Sequence, residues 1–195
     1  MRIVLIRHGE TIDNVNGVIS DSFSGPSLTS TGILATMEKI ATIKSYIDVN
    51  NSLILSSPAT RALETASLIA VDSKIIVCNE LSEVSIGVPG TDNDVMISYL
   101  RSLHSDWNLG LRLDEAPVGG ETGLQVLQRL TSFWHQLLSF PEVDAFLVSH
   151  FLTIRMLMQI LNNPIQEPDF PFNSSALLLY FDKQRSSIVD LVRFD

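Results

Sequence analysis

Short runs of apolar, often β-branched residues alternate along the chain with longer segments whose apolar positions recur every three or four residues. The runs are typical of strands and the longer segments of amphipathic helices. We predict strands at Arg2–Arg7, Leu53–Ser56, Ile75–Cys78, Ala145–Ser149, Ala176–Phe181 and Ser187–Arg193. We predict helices at Thr31–Asp48, Pro58–Ala70, Asn93–His104, Glu121–Phe140 and Leu152–Leu161.

This alternation predicts an α/β fold. The first strands are almost continuously apolar, as expected for strands that helices cover on both faces. We therefore expect a three-layer α/β/α sandwich with a mainly parallel central sheet and an antiparallel final pair of strands. No repeat or long linker divides the chain, so residues 1–195 are expected to form one domain, in which the irregular segment 79–120 roofs the site.

Composition narrows the range of partners. The chain has 195 residues, 13 basic against 22 acidic side chains, and a net charge of -9. This charge argues against nonspecific binding to nucleic acid or to an anionic membrane, so any affinity for phosphate must be built locally. The single cysteine, Cys78, fits a reducing cytoplasm. No signal peptide or membrane span is recognisable, and we expect a cytoplasmic protein whose oligomeric state the sequence does not indicate.

Candidate catalytic side chains follow four successive strands. In an open α/β sheet, such residues gather at the carboxyl ends of the strands. The residues at these ends, in chain order, are Arg7 with His8, then Arg61, Glu83 and His150. We therefore expect one edge of the sheet to carry two histidines, two arginines and one carboxyl group.

This set of side chains suits phosphoryl transfer. Arginine donors match phosphate oxygens, and their charge keeps a neighbouring histidine neutral, with a lone pair free to attack. A second histidine, protonated by the phosphate that it faces, donates to an oxygen, and a protonated carboxylic acid supplies the leaving group with its proton. Glu83 is the candidate acid by position. Because the reaction mainly needs positioning and charge neutralisation, we expect no metal and no other cofactor.

The motif Arg7-His8-Gly9-Glu10-Thr11, followed by Asn14, resembles the signature of the histidine phosphatase superfamily, the phosphoglycerate mutase-like group. The resemblance continues in the family's order along nearly the whole chain. Its later blocks are Ser27-Leu28-Thr29 with Gly32, Ser57-Pro58 with Arg61-Ala62 and Thr65-Ala66, Leu81 with Glu83 and Gly87, Gly119-Gly120-Glu121-Thr122, and Val148-Ser149-His150 with Ile154-Arg155.

The resemblance implies a role for each matching residue. His8 would be the phosphorylated nucleophile and Glu83 the proton donor, and the phosphate pocket would consist of Arg7, Asn14, Arg61 and His150. The implied activity is a metal-independent phosphatase that hydrolyses a small phosphorylated metabolite through a phosphohistidine. Two alternatives stay open. One is a phosphoglycerate mutase-type phosphoryl transfer, which is disfavoured because the resemblance implies a longer chain with an extra stretch over the site. The other is a catalytically silent phosphate-binding protein on the same scaffold.

Two segments depart from the family pattern on the leaving-group side. Val88-Pro89-Gly90-Thr91 lacks the usual aromatic residue and second carboxylate, and Phe151-Leu152 follows His150 where small residues are common. If the Phe151 ring faces the pocket, it should contact substrate, exclude bulky or highly charged leaving groups and favour flat apolar ones. If it faces the helix–sheet core, it is a packing residue.

Other residues are assigned weaker roles. A metal site of His8, His150 and Glu83 is disfavoured because two arginines would repel a dication. For Arg112, an exposed surface position and a contact with substrate are equally expected. Arg155 is expected to be a salt-bridge partner. Glu121 is expected either to interact with the helix dipole or to orient an arginine of the pocket. Packing or capping roles are assigned to Ser57, Thr65, Trp107 and Trp134, and ordinary polar roles to His104 and His135. The alternative acids are Glu80, Asp92 and Asp94.

Overall fold

A computed structural model of the chain describes residues 1–18, 25–70, 73–87, 93–141, 143–166 and 171–195. Its six strands are β1 Arg2–Arg7, β2 Ser52–Ser56, β3 Ile75–Val77, β4 Asp144–Ser149, β5 Ala176–Asp182 and β6 Ser187–Phe194. They form one sheet in the order β3-β2-β4-β1-β5-β6. The first four strands pair in parallel, whereas β5 is antiparallel to β1 and β6 to β5. The mainly parallel sheet and the antiparallel final pair are thus confirmed.

The helices are α1 Ile12–Val15, α2 Ser30–Ile43, α3 Thr60–Ile69, α4 Asn93–Asn108, α5 Gly123–Ser139 and α6 Phe151–Ile160. Two 3-10 turns lie at Val49–Asn51 and Asn79–Leu81. Five helices match predicted ones, and the four-residue α1 is too short to show a helical period in sequence.

Four predicted helix bounds differ from the observed ones by two residues or more. The end of α4 is Asn108 rather than His104, and the start of α5 is Gly123 rather than Glu121. The other two have local reasons. The helix predicted to reach Asp48 ends at Ile43, because the Asp48 carboxylate instead caps the following 3-10 turn by accepting from the Asn50 N–H. The helix predicted to begin at Pro58 begins at Thr60, because the Ser57 hydroxyl holds the Ala59 N–H in a turn before the helix, 3.3 Å away.

Alternate residues of the central strand enter two separate cores. Ile3 and Leu5 pack on one face of the sheet, and Val4 and Ile6 pack on the other. The first core is closed by α4, α5 and α6, and the second by α2 and α3. This arrangement is the predicted three-layer α/β/α sandwich.

The described residues contain no helix that combines the length and the apolar character needed to cross a lipid bilayer.

Candidate active site

The carboxyl ends of β1 and β4 bring the two histidines together. The strands are neighbours, with Arg7 opposite Ser149, so that His8 and His150 each leave the sheet one residue later. Both side chains are buried, and their ring centroids lie 5.1 Å apart at an interplanar angle of 60°. The expected juxtaposition of the two histidines is therefore present.

Arg61, at the start of α3, contacts both histidine rings. Its Nε donates to Nε2 of His8 at 3.2 Å, and its Nη2 donates to Nδ1 of His150 at 3.3 Å. A guanidinium can only donate, so each contacted ring nitrogen carries a lone pair. In neutral His8 the proton consequently lies on Nδ1, which faces the Gly9 carbonyl at 2.8 Å.

His150 has the opposite tautomer, and its Nε2–H donates a hydrogen bond to the Ser57 hydroxyl. With Nδ1 facing Arg61, the neutral ring holds its proton on Nε2, which lies 2.7 Å from the Ser57 hydroxyl. The sequence analysis gave Ser57 only a capping and packing role, and that interpretation is incomplete. Thr65, by contrast, has the expected role: its hydroxyl accepts from the Gly9 N–H and donates to the Arg61 carbonyl.

Burial and positive charge keep both rings neutral. Desolvation first, and then the charges of Arg7 and Arg61, hold the pKa of His8 well below its ordinary value. Desolvation also lowers the pKa of His150, together with His8, the two site arginines and Arg129. A neutral His8 with a lone pair on Nε2 has the protonation state that a nucleophile needs.

Arg7 lies deep in the same site. Its Nη1 donates to the Pro171 carbonyl at 2.9 Å, and its buried Nε has no hydrogen-bond partner among the described residues. Burial, offset by the Glu83 carboxylate and reinforced by Arg61, lowers the pKa of Arg7 to about 10. A buried cation with a free donor at a site edge is suited to an anionic ligand.

Glu83 contacts the start of α6 by its carboxylate. Three backbone N–H groups donate to it: Val84 at 3.0 Å, Thr153 at 3.2 Å and Leu152 at 3.3 Å. These backbone donors hold the carboxyl group against the N-terminus of α6, beside His150. The role of Glu83 as the proton donor stays a prediction.

The Phe151 ring touches the site and the core at once. It is half-buried at the first position of α6 and packs against the core that α5 and α6 share. Its centroid lies 5.3 Å from the Arg7 guanidinium carbon and 5.4 Å from that of Arg155. The two orientations that the sequence left open are therefore not exclusive.

Asn14 and Asn173 hold the loop that follows β1. The Asn14 side-chain oxygen accepts from the Thr11 backbone N–H at 3.0 Å and from Asn173 Nδ2 at 3.1 Å. Asn173 Nδ2 also lies 3.2 Å from the His8 carbonyl. Asn173 was not among the predicted site residues. Its only signal in sequence is the polar run Asn173-Ser174-Ser175 before a buried strand, a pattern that ordinary loops share.

Gly9 is required by packing. A Cβ on Gly9 would lie 2.7 Å from the Thr36 hydroxyl and 3.1 Å from the Gly32 carbonyl, so the loop after β1 sits directly on α2. Gly87, with a φ of +70°, would place a Cβ 2.1 Å from the Val118 carbonyl. This close approach joins the Glu83 loop to the segment that precedes α5.

Glu121 and Arg129 form a brace behind the Glu83 loop. Glu121 pairs with Arg129 at 2.8 Å and accepts from the Ser85 N–H at 2.9 Å, while Arg129 also donates to the Glu80 carbonyl. Glu121 thus orients an arginine, as one alternative predicted, but that arginine is neither Arg7 nor Arg61.

Most of the remaining candidates lie outside the site. Arg112 is a surface residue, paired with Asp106 at 2.9 Å and with Glu115 at 2.6 Å. Arg155 is buried and donates to the Ile165 carbonyl. His135 is exposed, and Trp107 and Trp134 are core residues, as predicted.

His104 departs from its predicted role as a satisfied polar residue. Its ring packs against Trp107, and its buried Nε2 has no hydrogen-bond partner among the described residues. Burial lowers the pKa of His104 to about 4.

Some of the predicted residues have no described position. Asp92, the segment Val88–Thr91 and the side chain of Asp94 lie outside the described part of the chain. Within that part, no three His, Cys, Asp or Glu side chains are grouped so that they could hold a metal ion.

The sequence of the chain matches a known protein family. Residues 3–192 match the family model of the histidine phosphatase superfamily (branch 1). A curated relative, the 2,3-bisphosphoglycerate-dependent phosphoglycerate mutase of Thermoplasma acidophilum, is 36% identical over 86 residues, which are 43% of this chain and 42% of that protein.

Solved structures share the fold at lower identity. The α-ribazole phosphatase of Shigella flexneri has a TM-score of 0.75 at 23% identity, over 100% of this chain and 96% of that one. A mycobacterial glucosyl-3-phosphoglycerate phosphatase in complex with VO3 has a TM-score of 0.73 at 22% identity, over 98% and 96% of the two chains.

Proposed function

Because the chain belongs to branch 1 of the histidine phosphatase superfamily, we propose that it hydrolyses small phosphomonoesters through a phosphohistidine on His8. The substrate is a small phosphorylated metabolite, and the lone Cys78 supports a cytoplasmic setting.

The observation that carries this proposal is the double contact of Arg61. Its Nε points at the Nε2 lone pair of His8, and its Nη2 points at His150. A phosphoryl group between the rings offers its oxygens to these same donors and to Arg7, so that positive charge faces the charge of the transition state.

In the first half-reaction, the Nε2 lone pair of His8 attacks phosphorus and the bond from phosphorus to the ester oxygen breaks. The proton on Nδ1 stays on the ring, where it donates a hydrogen bond to the Gly9 carbonyl 2.8 Å away. Glu83, in its protonated form, gives the leaving oxygen a proton and is left ionised.

In the second half-reaction, water attacks the phosphorus of the phosphohistidine. The ionised Glu83 accepts a proton from this water, the bond from Nε2 to phosphorus breaks, and inorganic phosphate leaves. His8 regains its lone pair and Glu83 regains its proton. Ester and water are thus converted to alcohol and phosphate.

The mutase reaction is the second candidate, and the similarity to the Thermoplasma mutase favours it. That match covers less than half of either chain. A mutase uses the same phosphohistidine but returns the phosphoryl group to a second hydroxyl.

A panel of phosphorylated metabolites tests the proposal, with inorganic phosphate release and isomer formation scored in the same reactions. Release of phosphate without isomer supports the hydrolase, and isomer as the main product supports the mutase. Binding of phosphate esters with no product supports the silent phosphate-binding alternative. Activity that a metal chelator abolishes would contradict the proposed mechanism.

A further inference from the structure

The positive charges of the chain are placed so that few of them can meet a substrate. All 13 basic residues lie in the part of the chain that the structure describes, so this inventory covers the whole sequence. Five of them lie at the amino ends of the parallel strands, the edge opposite the site. These are Arg2, Lys44, Lys74, Lys183 and Arg185.

Five more make no direct contact with the histidines. Arg112 and Arg129 have carboxylate partners, described above, and Lys39 and Arg193 both contact Asp195. The Arg129 charge is close enough to lower the pKa of His150, but its guanidinium is occupied by Glu121 and the Glu80 carbonyl. Arg101 is exposed on α4, on the side away from the face that buries Leu103 and Trp107.

Three basic residues remain near the histidines. Arg155 is buried and contacts the Phe151 ring and the Ile165 carbonyl, so this ring and the helix cover it. Arg7 and Arg61 contact the site directly. Their two charges match the two charges of one phosphomonoester dianion, and the Glu83 carboxylate lies close enough to act on Arg7. Beyond Arg7 and Arg61, the nearby cations Arg129 and Arg155 are engaged by other groups, so a second anionic group on the substrate would gain little in a chain of net charge -9.

One apolar side chain contacts the site, and two exposed ones belong to the backbone segments that border it. Phe151 contacts Arg7, as described above. Phe172 is 49% exposed, and it lies between Pro171, whose carbonyl binds Arg7, and Asn173, which binds the His8 carbonyl. Ile12, 50% exposed, begins α1 just beyond the His8 loop. Aromatic side chains at the edge of a pocket offer a large, flat contact surface to an apolar ring of a ligand.

From these two observations we infer that the substrate is a phosphomonoester whose alcohol is uncharged and aromatic. The inference rests on the proposed function and deepens it by stating the chemistry of the leaving group. Phe172 and Phe151 border that group, and Arg7 and Arg61 take the phosphate.

Three alkyl phosphates with similarly poor leaving groups test the inference: 2-phenylethyl phosphate, glycerol 3-phosphate and 3-phosphoglycerate. We expect kcat/KM to fall about tenfold or more from the first to the second, because the ring contact is lost. We expect a further fall of about tenfold or more for the third, because its carboxylate is repelled. A kcat/KM for 3-phosphoglycerate that equals or exceeds the value for 2-phenylethyl phosphate would overturn the inference.

Phe172→Ala locates the effect, with Phe140→Ala as the matched control, since Phe140 is 44% exposed at the end of α5. We expect Phe172→Ala to lower kcat/KM for 2-phenylethyl phosphate about tenfold and to leave glycerol 3-phosphate within about twofold. Phe140→Ala should change neither value. Equal losses on both substrates, or the same loss in the control, would contradict the assignment of Phe172.

Binding of phosphonates separates this inference from the proposed function. In calorimetry, 2-phenylethylphosphonate should bind the intact protein more tightly than 2-carboxyethylphosphonate. If this order holds while no ester is hydrolysed, the hydrolase proposal fails and the ligand class stands. If esters are hydrolysed and the two phosphonates bind equally, the ligand class fails and the hydrolase proposal stands.

Discussion

The Arg61 guanidinium lies between His8 and His150, with its nitrogens 3.2 Å from Nε2 of one ring and 3.3 Å from Nδ1 of the other. Because a guanidinium only donates, this contact dictates which nitrogen of each ring is free of its proton. The nucleophile and its neighbour are thus organised by a residue that belongs to neither of their strands.

His8→Ala should abolish the covalent intermediate. In the intact protein, quenched turnover should trap an acid-labile, base-stable phosphoryl group on His8. The substitution should remove this label and lower kcat about 10³-fold or more, because the attacking lone pair is lost. His135→Ala, which removes an exposed histidine, is the control. Label on any residue other than His8 would overturn the assignment.

Arg61→Ala should cost about 3 kcal/mol of transition-state stabilisation, seen as a fall in kcat/KM, because two donors and one charge leave the site. It should also raise the pKa of His8 and of His150, since the Arg61 charge lowers both, and NMR titration of the ring protons measures this. Arg61→Lys restores the charge without the two-pronged contact, so we expect only partial rescue. Full rescue by lysine, or ring pKa values that stay in place, would contradict the role of the double contact.

Glu83→Gln should discriminate between leaving groups. Turnover of glycerol 3-phosphate should fall about 10²-fold or more, because its alkoxide needs a proton to depart. An activated aryl phosphate such as 4-nitrophenyl phosphate needs little protonation and should be slowed far less. Glu38→Gln, at an exposed glutamate of α2, is the control. Equal slowing of both esters would move the acid to another residue.

Phe151→Gly should change substrate ranking and stability together. Loss of the ring contact with Arg7, worth about 0.5–2 kcal/mol, should flatten the preference between leaving groups, measured as ratios of kcat/KM. Because the ring is half-buried, we expect urea unfolding to show a loss of about 1–3 kcal/mol, less than for a fully buried phenylalanine. A loss of stability with an unchanged ranking would show that the ring only packs.

His104 should make the protein less stable in acid. Its pKa is lowered to about 4 from an ordinary 6.5, so the unfolded chain binds the additional proton between these pH values. The free energy of unfolding therefore falls as the pH falls through this window, by up to about 1.4 kcal/mol per pH unit from this residue. His104→Leu should reduce the slope by that amount in urea titrations between pH 6.5 and 4.5. An unchanged slope would contradict the burial of a neutral ring, and His135→Leu is the matched control.

The strands and the residues that follow them could be predicted from sequence. The apolar runs predicted every strand end to within one residue of its observed position. Parallel strands then bring their carboxyl ends to one edge, which predicted that Arg7, His8 and His150 would meet. The helix ends were harder, because capping by single side chains such as Asp48 decides them.

Only the tertiary structure decided how these side chains are coupled. Asn173 supports the His8 loop from 165 positions away, and Ser57 accepts from His150 across 93. Backbone donors surround the Glu83 carboxylate because α6 begins beside it, and the Phe151 ring meets Arg7 for the same reason. Local sequence determines the strand period and the order of motifs, since these depend on near neighbours along the chain. Hydrogen-bond partners and protonation states depend on which distant segments the sheet brings into contact, and these form only when the chain has folded.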